Sequence, residues 1–150
     1  MIIAFCGHSD YVSNSMDEKK IMGILEERVK GNHSEFFLGG YGGFDSFAYS
    51  CAKKFKSYHP ESSLIFITPY ISTQYQNRHL QYKREEYDQI IYPELEKVPP
   101  RYAILYRNKW IVDKADIIIS YIDRQYGGAY KMYEYAKRKN KNIYNIGALE

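Results

Sequence analysis

The stretches Ser63–Thr68 (SLIFIT) and Ile117–Ile122 (IIISYI) are apolar almost throughout, with no polar residue at every second place. A strand with one face in water alternates in polarity. A strand covered on both faces does not, and that situation belongs to parallel sheets held between helices. Met1–Cys6 and Glu35–Leu38 are similar short runs, and Asn142–Ile146 closes the chain as another. Helical patterns lie between them. Ile21, Ile24, Leu25, Arg28 and Val29 fall at helical spacing and stop at Gly31-Asn32. Phe47, Ala48, Cys51, Ala52 and Phe55 mark one face of a helix that begins near Asp45 and ends before Pro60. Tyr130–Arg138 is helical, and a short helix spans about Asn108–Lys114. The polar, tyrosine-rich segment Asn77–Tyr92 also reads as a helix, before Pro93, Pro99 and Pro100 break it into loop. Alternating strand and helix with short links predicts a single Rossmann-like α/β domain. It should hold a mainly parallel sheet of about five strands with helices on both faces.

A chain of 150 residues is one ordinary domain, so one core and one site are expected. Its 21 basic and 18 acidic side chains leave a formal charge of +3, too small and too dispersed to announce a nucleic-acid binder. No segment is apolar for long enough to cross a membrane, and MIIAFCGHSD lacks the basic flank and long apolar region of a signal peptide, so a cytoplasmic protein is expected. Cys6 and Cys51 lie far apart in apolar surroundings, which suits buried free thiols, and the four histidines show no metal-binding spacing. Neither a metal nor a resident cofactor is expected. Most of the 17 tyrosines must be packing residues whose hydroxyls reach water or a partner, with a few free to stack on a ligand ring.

The polar and glycine motifs all follow strands: Gly7-His8 with Ser9 beside it, then Gly39-Gly40-Tyr41-Gly42-Gly43 leading into Phe44 and Asp45, then Thr68-Pro69-Tyr70, then Asp123 to Gly128 with its Gly127-Gly128 pair. In an open parallel sheet the strand ends share one edge, and ligands bind there near the point where strand order reverses. A glycine turn that enters a helix exposes backbone N–H groups with no partner inside the helix, at the end where the helix dipole favours an anion. GGYGG either turns a corner or lets a phosphate approach its backbone, and the second pair at Gly127-Gly128 tips the balance towards a ligand. No GxGxxG follows the first strand, which disfavours a conventional NAD dehydrogenase.

The string RNKWIVDKADIIISYI, Arg107 to Ile122, resembles the RN-x-WMVD-x-SD signature and following strand of the YpsA-like branch of the SLOG superfamily, which is named for its DprA-like and LOG (lonely guy) members. The glycine turns occur in the order that resemblance requires. It implies a Rossmannoid domain that binds a nucleotide or a nucleotide-derived signal, ADP-ribose-like or cyclic, as a sensor, carrier or sequestering protein. LOG-type relatives are dimers, so a homo-oligomer is implied too. Those relatives also cleave the N-glycosidic bond of nucleoside monophosphates and carry PGGxGTxxE. Aligning the glycine pairs places Glu134 on the motif's glutamate, while Tyr126, Tyr130 and Lys131 replace its proline, third glycine and threonine. Binding is therefore favoured, with N-glycoside hydrolysis or nucleoside transfer as the alternative.

Each candidate has two readings. Glu134 is either a carboxylate that activates water or an exposed helix charge near Arg138. Arg107 and Asn108, just before a helix, either grip phosphate and read a base or clamp the loop. His8, with Ser9 beside it, contacts phosphate or acts as an acid, or else is a hydrogen-bonded turn residue. Tyr41 and Tyr70 stack on a purine or pack on the surface. Asp45 and Asp123 bind ribose hydroxyls or cap local structure. Phe44 and Ala129 belong to the ligand-facing turns by position. Trp110 is expected in the core, and Asp113 and Asp116 as fixing residues.

Overall fold

The computed structural model describes residues 1–29 and 31–149. The central strand β1 (Ile2–Gly7) pairs with β2 (Glu35–Leu38) on one side and β5 (Ile117–Tyr121) on the other. Beyond β2 lie β3 (Ser63–Ile67) and β4 (Gln89–Ile91), and beyond β5 lies β6 (Asn142–Asn145). All pairings are parallel, in the order β4-β3-β2-β1-β5-β6. The chain builds outward from β1 to β4, then crosses back to start again at β5. The strand order therefore reverses between β1 and β5, and their carboxyl ends open a crevice there.

The strands lack alternation because both faces are covered. Ile3 and Phe5 of β1 join Phe36, Leu38, Phe66 and Ile119 in a layer under α1 (Ser15–Arg28) and α2 (Gly43–Tyr58). Ala4 and Cys6 point the other way, with Phe37, Ile65 and Ile118, towards α5 (Ala103–Lys114) and α6 (Gly128–Arg138). Side chains such as Phe36, Phe55 and Ile118 are fully buried, each contributing about 1.5–3 kcal/mol. The α1 start is fixed by Asn14, whose side chain accepts from the Asp17 N–H at 2.8 Å.

Several expectations change. The sheet has six strands, not about five. The sixth, β4, falls inside Asn77–Tyr92, where helix was expected; the helical part is α3 (Thr73–Tyr75), a π-turn (Gln76–Leu80) and α4 (Gln81–Glu86). Tyr87 ends α4 in extended conformation, and the Asp88 side chain accepts from the Leu64 N–H at 2.8 Å, which pins this edge strand to β3. Gln89–Ile91 is a three-residue strand whose two β-branched isoleucines suit it, and it is hidden by the polar, helix-like segment that precedes it. Helix α5 begins at Ala103 rather than Asn108, after a 3₁₀ turn at Pro100–Tyr102, so Arg107 and Asn108 lie within it rather than before it. Trp110 is only half-buried, stacked on Phe37 at 5.7 Å. No helix among the described residues is long and apolar enough to cross a membrane.

Candidate functional site

A cavity of about 320 Å³ opens at the β1–β5 reversal. Of the residues singled out in the sequence, Gly7, His8, Ser9, Gly39, Tyr41, Phe44, Asp45, Arg107, Asn108, Gly127, Gly128 and Ala129 line it. Gly40, Gly42, Gly43, Tyr70, Asp123 and Glu134 do not. The sequence reading passed over Arg124 and Tyr126 at the rim and the apolar wall of Ile104, Ile111 and Met132. Arg124 stands inside the polar motif after β5, and a cation at a strand end was the available signal.

The two glycine turns differ in what their N–H groups do. At the first, the Asp45 carboxylate accepts from the Gly39 N–H (3.0 Å) and the Gly40 N–H (2.6 Å). Gly43 N–H donates to the Ser9 carbonyl at 2.7 Å and Phe44 N–H to that of His8 at 3.3 Å. Space, too, demands glycine here. A side chain on Gly43 would overlap the Tyr11 carbonyl, and one on Gly42 (φ 91°) would come within 2.9 Å of Ser9 Cα. GGYGG is a corner closed on itself, with Gly40, Gly42 and Gly43 serving the turn. Asp45 closes it from the third position of α2, and the N-cap is Gly42.

At the second turn Gly127 (φ 94°) is the N-cap of α6 with no side-chain cap, and nothing lies within 4 Å of where a Cβ of Gly127 or Gly128 would stand. Among the described residues the N–H groups of Gly128, Ala129 and Tyr130 have no protein acceptor. This helix start is open.

Two guanidinium groups join it. Arg107 is only 4% exposed; its Nη1 donates to the carbonyls of Ile67 (2.7 Å) and Gly39 (3.1 Å), and its Nε to Asn108 Oδ1 (2.9 Å). It is thus a strut tying α5 to the ends of β2 and β3, while its Nη2 has no protein partner among the described residues. Arg124 Nη2 donates to Asp10 at 2.6 Å, and its guanidinium lies 5.4 Å from the centre of the Tyr126 ring. Burial pushes the Asp45 carboxyl above the ordinary carboxylate range, against the pull of the two N–H donors and of Arg107. Cationic groups dominate the cavity.

His8 is buried, and burial holds its imidazole below the usual histidine range, with Arg124 adding to the effect. Its Nε2 accepts from the Asp123 N–H at 3.2 Å, which suits the neutral ring and ties the β1 end to the β5 end. Asp123 stays outside the cavity, 3.2 Å from His8 and 3.7 Å from Arg124. Tyr70 donates to the Pro100 carbonyl at 3.3 Å, and Tyr41 meets the Tyr75 hydroxyl. Glu134 accepts from the Tyr130 hydroxyl one helical turn back and is separated from the cavity.

No family model matches the chain, and no curated protein matches its sequence. Solved structures do match. DNA processing protein A (DprA) from Helicobacter pylori, described for its binding of single-stranded DNA, aligns with a TM-score of 0.62 and 17% identity over 97% of this chain. DprA from Streptococcus pneumoniae gives 0.63 and 14% over 95%. The chain has the DprA-like Rossmannoid fold. It spans 64% and 49% of the length of those two DprA chains. The molybdenum cofactor carrier protein of Chlamydomonas reinhardtii shares this DprA-like fold too, with a TM-score of 0.55 and 14% identity over 96% of this chain and 74% of its own.

Proposed function

We propose that this cavity holds the phosphate of a nucleotide or nucleotide-derived molecule, ADP-ribose-like or cyclic, and that the protein binds its ligand without cleaving it. The observation that carries the reading is the open start of α6: three N–H groups without acceptors, beside Arg107 Nη2 and Arg124. At about 320 Å³ the cavity stands at the small end of ligand pockets, roughly 300–1,000 Å³, and suits one nucleotide unit.

Binding is favoured over N-glycoside hydrolysis by the carboxylates. Asp45 is the one carboxylate among the described cavity-lining residues, and both its oxygens are engaged by backbone N–H groups; Glu134 faces elsewhere. The fold shared with a cofactor carrier and with a DNA-binding protein fits a holding role. Placement in the YpsA-like branch of SLOG rests on the Arg107–Ile122 string, and self-association follows from the same resemblance.

Titration calorimetry with AMP, ADP-ribose and cyclic AMP, followed by chromatography of the incubated ligand, tests the reading. Recovery of intact ligand is expected. Arg124→Ala should weaken binding about 10- to 150-fold, the worth of one charge-assisted bond of about 1.5–3 kcal/mol. Release of free base that disappears in Glu134→Gln would overturn the binding-only reading.

A further inference from the structure

Ile104, Asn108 and Ile111 fall at helical spacing on one face of α5, and all three line the cavity. The half-buried Asn108 amide is thus a polar group set between two isoleucines. Chemistry fixes which way that amide is turned. The Arg107 Nε–H can only donate, so the amide atom that meets it at 2.9 Å is the oxygen, Oδ1. Arg107 is itself immobilised, since its Nη1 donates to the carbonyls of Ile67 (2.7 Å) and Gly39 (3.1 Å) and the residue is only 4% exposed. The nitrogen Nδ2 is therefore the free end of Asn108, two N–H donors with no protein acceptor among the described residues.

The rest of the cavity has the same sign. His8 Nε2 accepts from the Asp123 N–H at 3.2 Å, so the neutral ring carries its proton on Nδ1 and is a donor there. Arg107 Nη2, Arg124 and the open N–H groups of α6 donate as well. The acceptors that could balance them are occupied: both Asp45 oxygens by the N–H groups of Gly39 and Gly40, the Gly39 carbonyl by Arg107, and the His8 and Ser9 carbonyls by the N–H groups of Phe44 and Gly43. Among the described side chains of the cavity, hydroxyl groups are the acceptors left, and these turn to suit either role.

Fixed groups that all donate call for a ligand that accepts at each of them. A phosphate meets the α6 start and the guanidinium groups, but it gains nothing from two isoleucines. The planar base of a nucleotide does, lying on the apolar strip with one polar atom aimed at the amide. We propose that Asn108 selects the base, and that the ligand is a nucleotide whose ring carries a carbonyl at that place, a 6-oxopurine or a uracil. A ring with an amino group there is disfavoured, because donor then faces donor and both go unpaired. This rests on the nucleotide reading of the cavity.

Titration calorimetry with two pairs of near-isosteric ligands, IMP against AMP and UMP against CMP, reads the selection. Each pair keeps phosphate and ribose and exchanges a ring carbonyl for an amino group. AMP and CMP still bind through the phosphate, but wild type should hold the oxo member of each pair roughly fivefold more tightly or better, the low end of what one mispaired hydrogen bond costs. The tighter pair tells purine from pyrimidine. Asn108→Asp keeps an oxygen for Arg107 Nε and turns the free end into an acceptor, so it should reverse the order to AMP over IMP and CMP over UMP, while its added charge weakens all four. Asn108→Ala should bring the members of each pair within about twofold. Wild type that holds the two members alike overturns the proposal. So does Asn108→Asp that weakens both members by one factor and keeps their order, which would make Asn108 only a clamp on Arg107. Members bound alike and weakened alike by Arg124→Ala would overturn this selection and leave the phosphate in place, whereas binding of none of the four at millimolar concentration would overturn both.

Discussion

Arg107 admits a direct choice between a ligand grip and a structural strut, and Arg107→Met decides it in the absence of any ligand. The guanidinium is 96% buried and donates to two carbonyls of different strand ends, Ile67 at 2.7 Å and Gly39 at 3.1 Å. Hydrogen bonds from a charged donor are each worth about 1.5–3 kcal/mol, so their loss costs roughly 3–6 kcal/mol. Methionine matches the stem of arginine and removes a buried charge, whose relief offsets part of that sum. The nearby Asp45, however, loses a favourable neighbour. A net destabilisation of about 3 kcal/mol results, and at 2–4 °C per kcal/mol for a chain of this size the melting temperature should fall by roughly 6–12 °C. Calorimetry of ligand-free protein reads this directly. A melting temperature within about 2 °C of wild type would refute the strut and leave the ligand as the reason for Arg107.

The glycine turns should respond in opposite ways: Gly43→Ala should cost about 1–3 kcal/mol through overlap with the Tyr11 carbonyl, while Gly128→Ala should stay within about 0.5 kcal/mol in urea unfolding. His8 has a folded pKa below its unfolded value, so the unfolded chain binds more protons as pH drops through 6.5 and below. Stability should therefore fall with acidification in that window, and His8→Gln should flatten the dependence of the urea midpoint between pH 7.5 and 5. Burial pushes both Cys6 and Cys51 thiols up to about 12, leaving about one thiolate in ten thousand at pH 8. Neither should react with a disulfide reagent until the protein is unfolded.

The fold was legible because its strongest determinant is local. Uniformly apolar runs as short and isoleucine-rich as SLIFIT and IIISYI suit strands covered on both faces, and the helices between them follow from spacing. The strand Gln89–Ile91 escaped because its apolar signal is only two residues long and directly follows a polar helical stretch, so that its pairing with β3, pinned by Asp88, is what defines it. Gathering the strand-end motifs on one edge brought most candidates to the cavity. What spacing could not convey was the direction of a side chain on a helix: Glu134 shares the face of Tyr130, whereas Met132 faces the cavity.

The two diglycine turns show why glycine alone is an ambiguous sign of an anion site. Both precede a helix, both place a glycine at positive φ at the N-cap, and both line the same cavity in part. The difference lies one or two residues further on. Helix α2 carries Asp45 in its first turn, a built-in anion that takes the N–H groups of Gly39 and Gly40, whereas the first turn of α6 has no acidic residue. A carboxylate held there competes with a phosphate, both by occupying donors and by repelling a second negative charge. The proposed phosphate therefore belongs at the helix start that lacks its own anion, a distinction written in the sequence as the contrast between GGFD and GGAY.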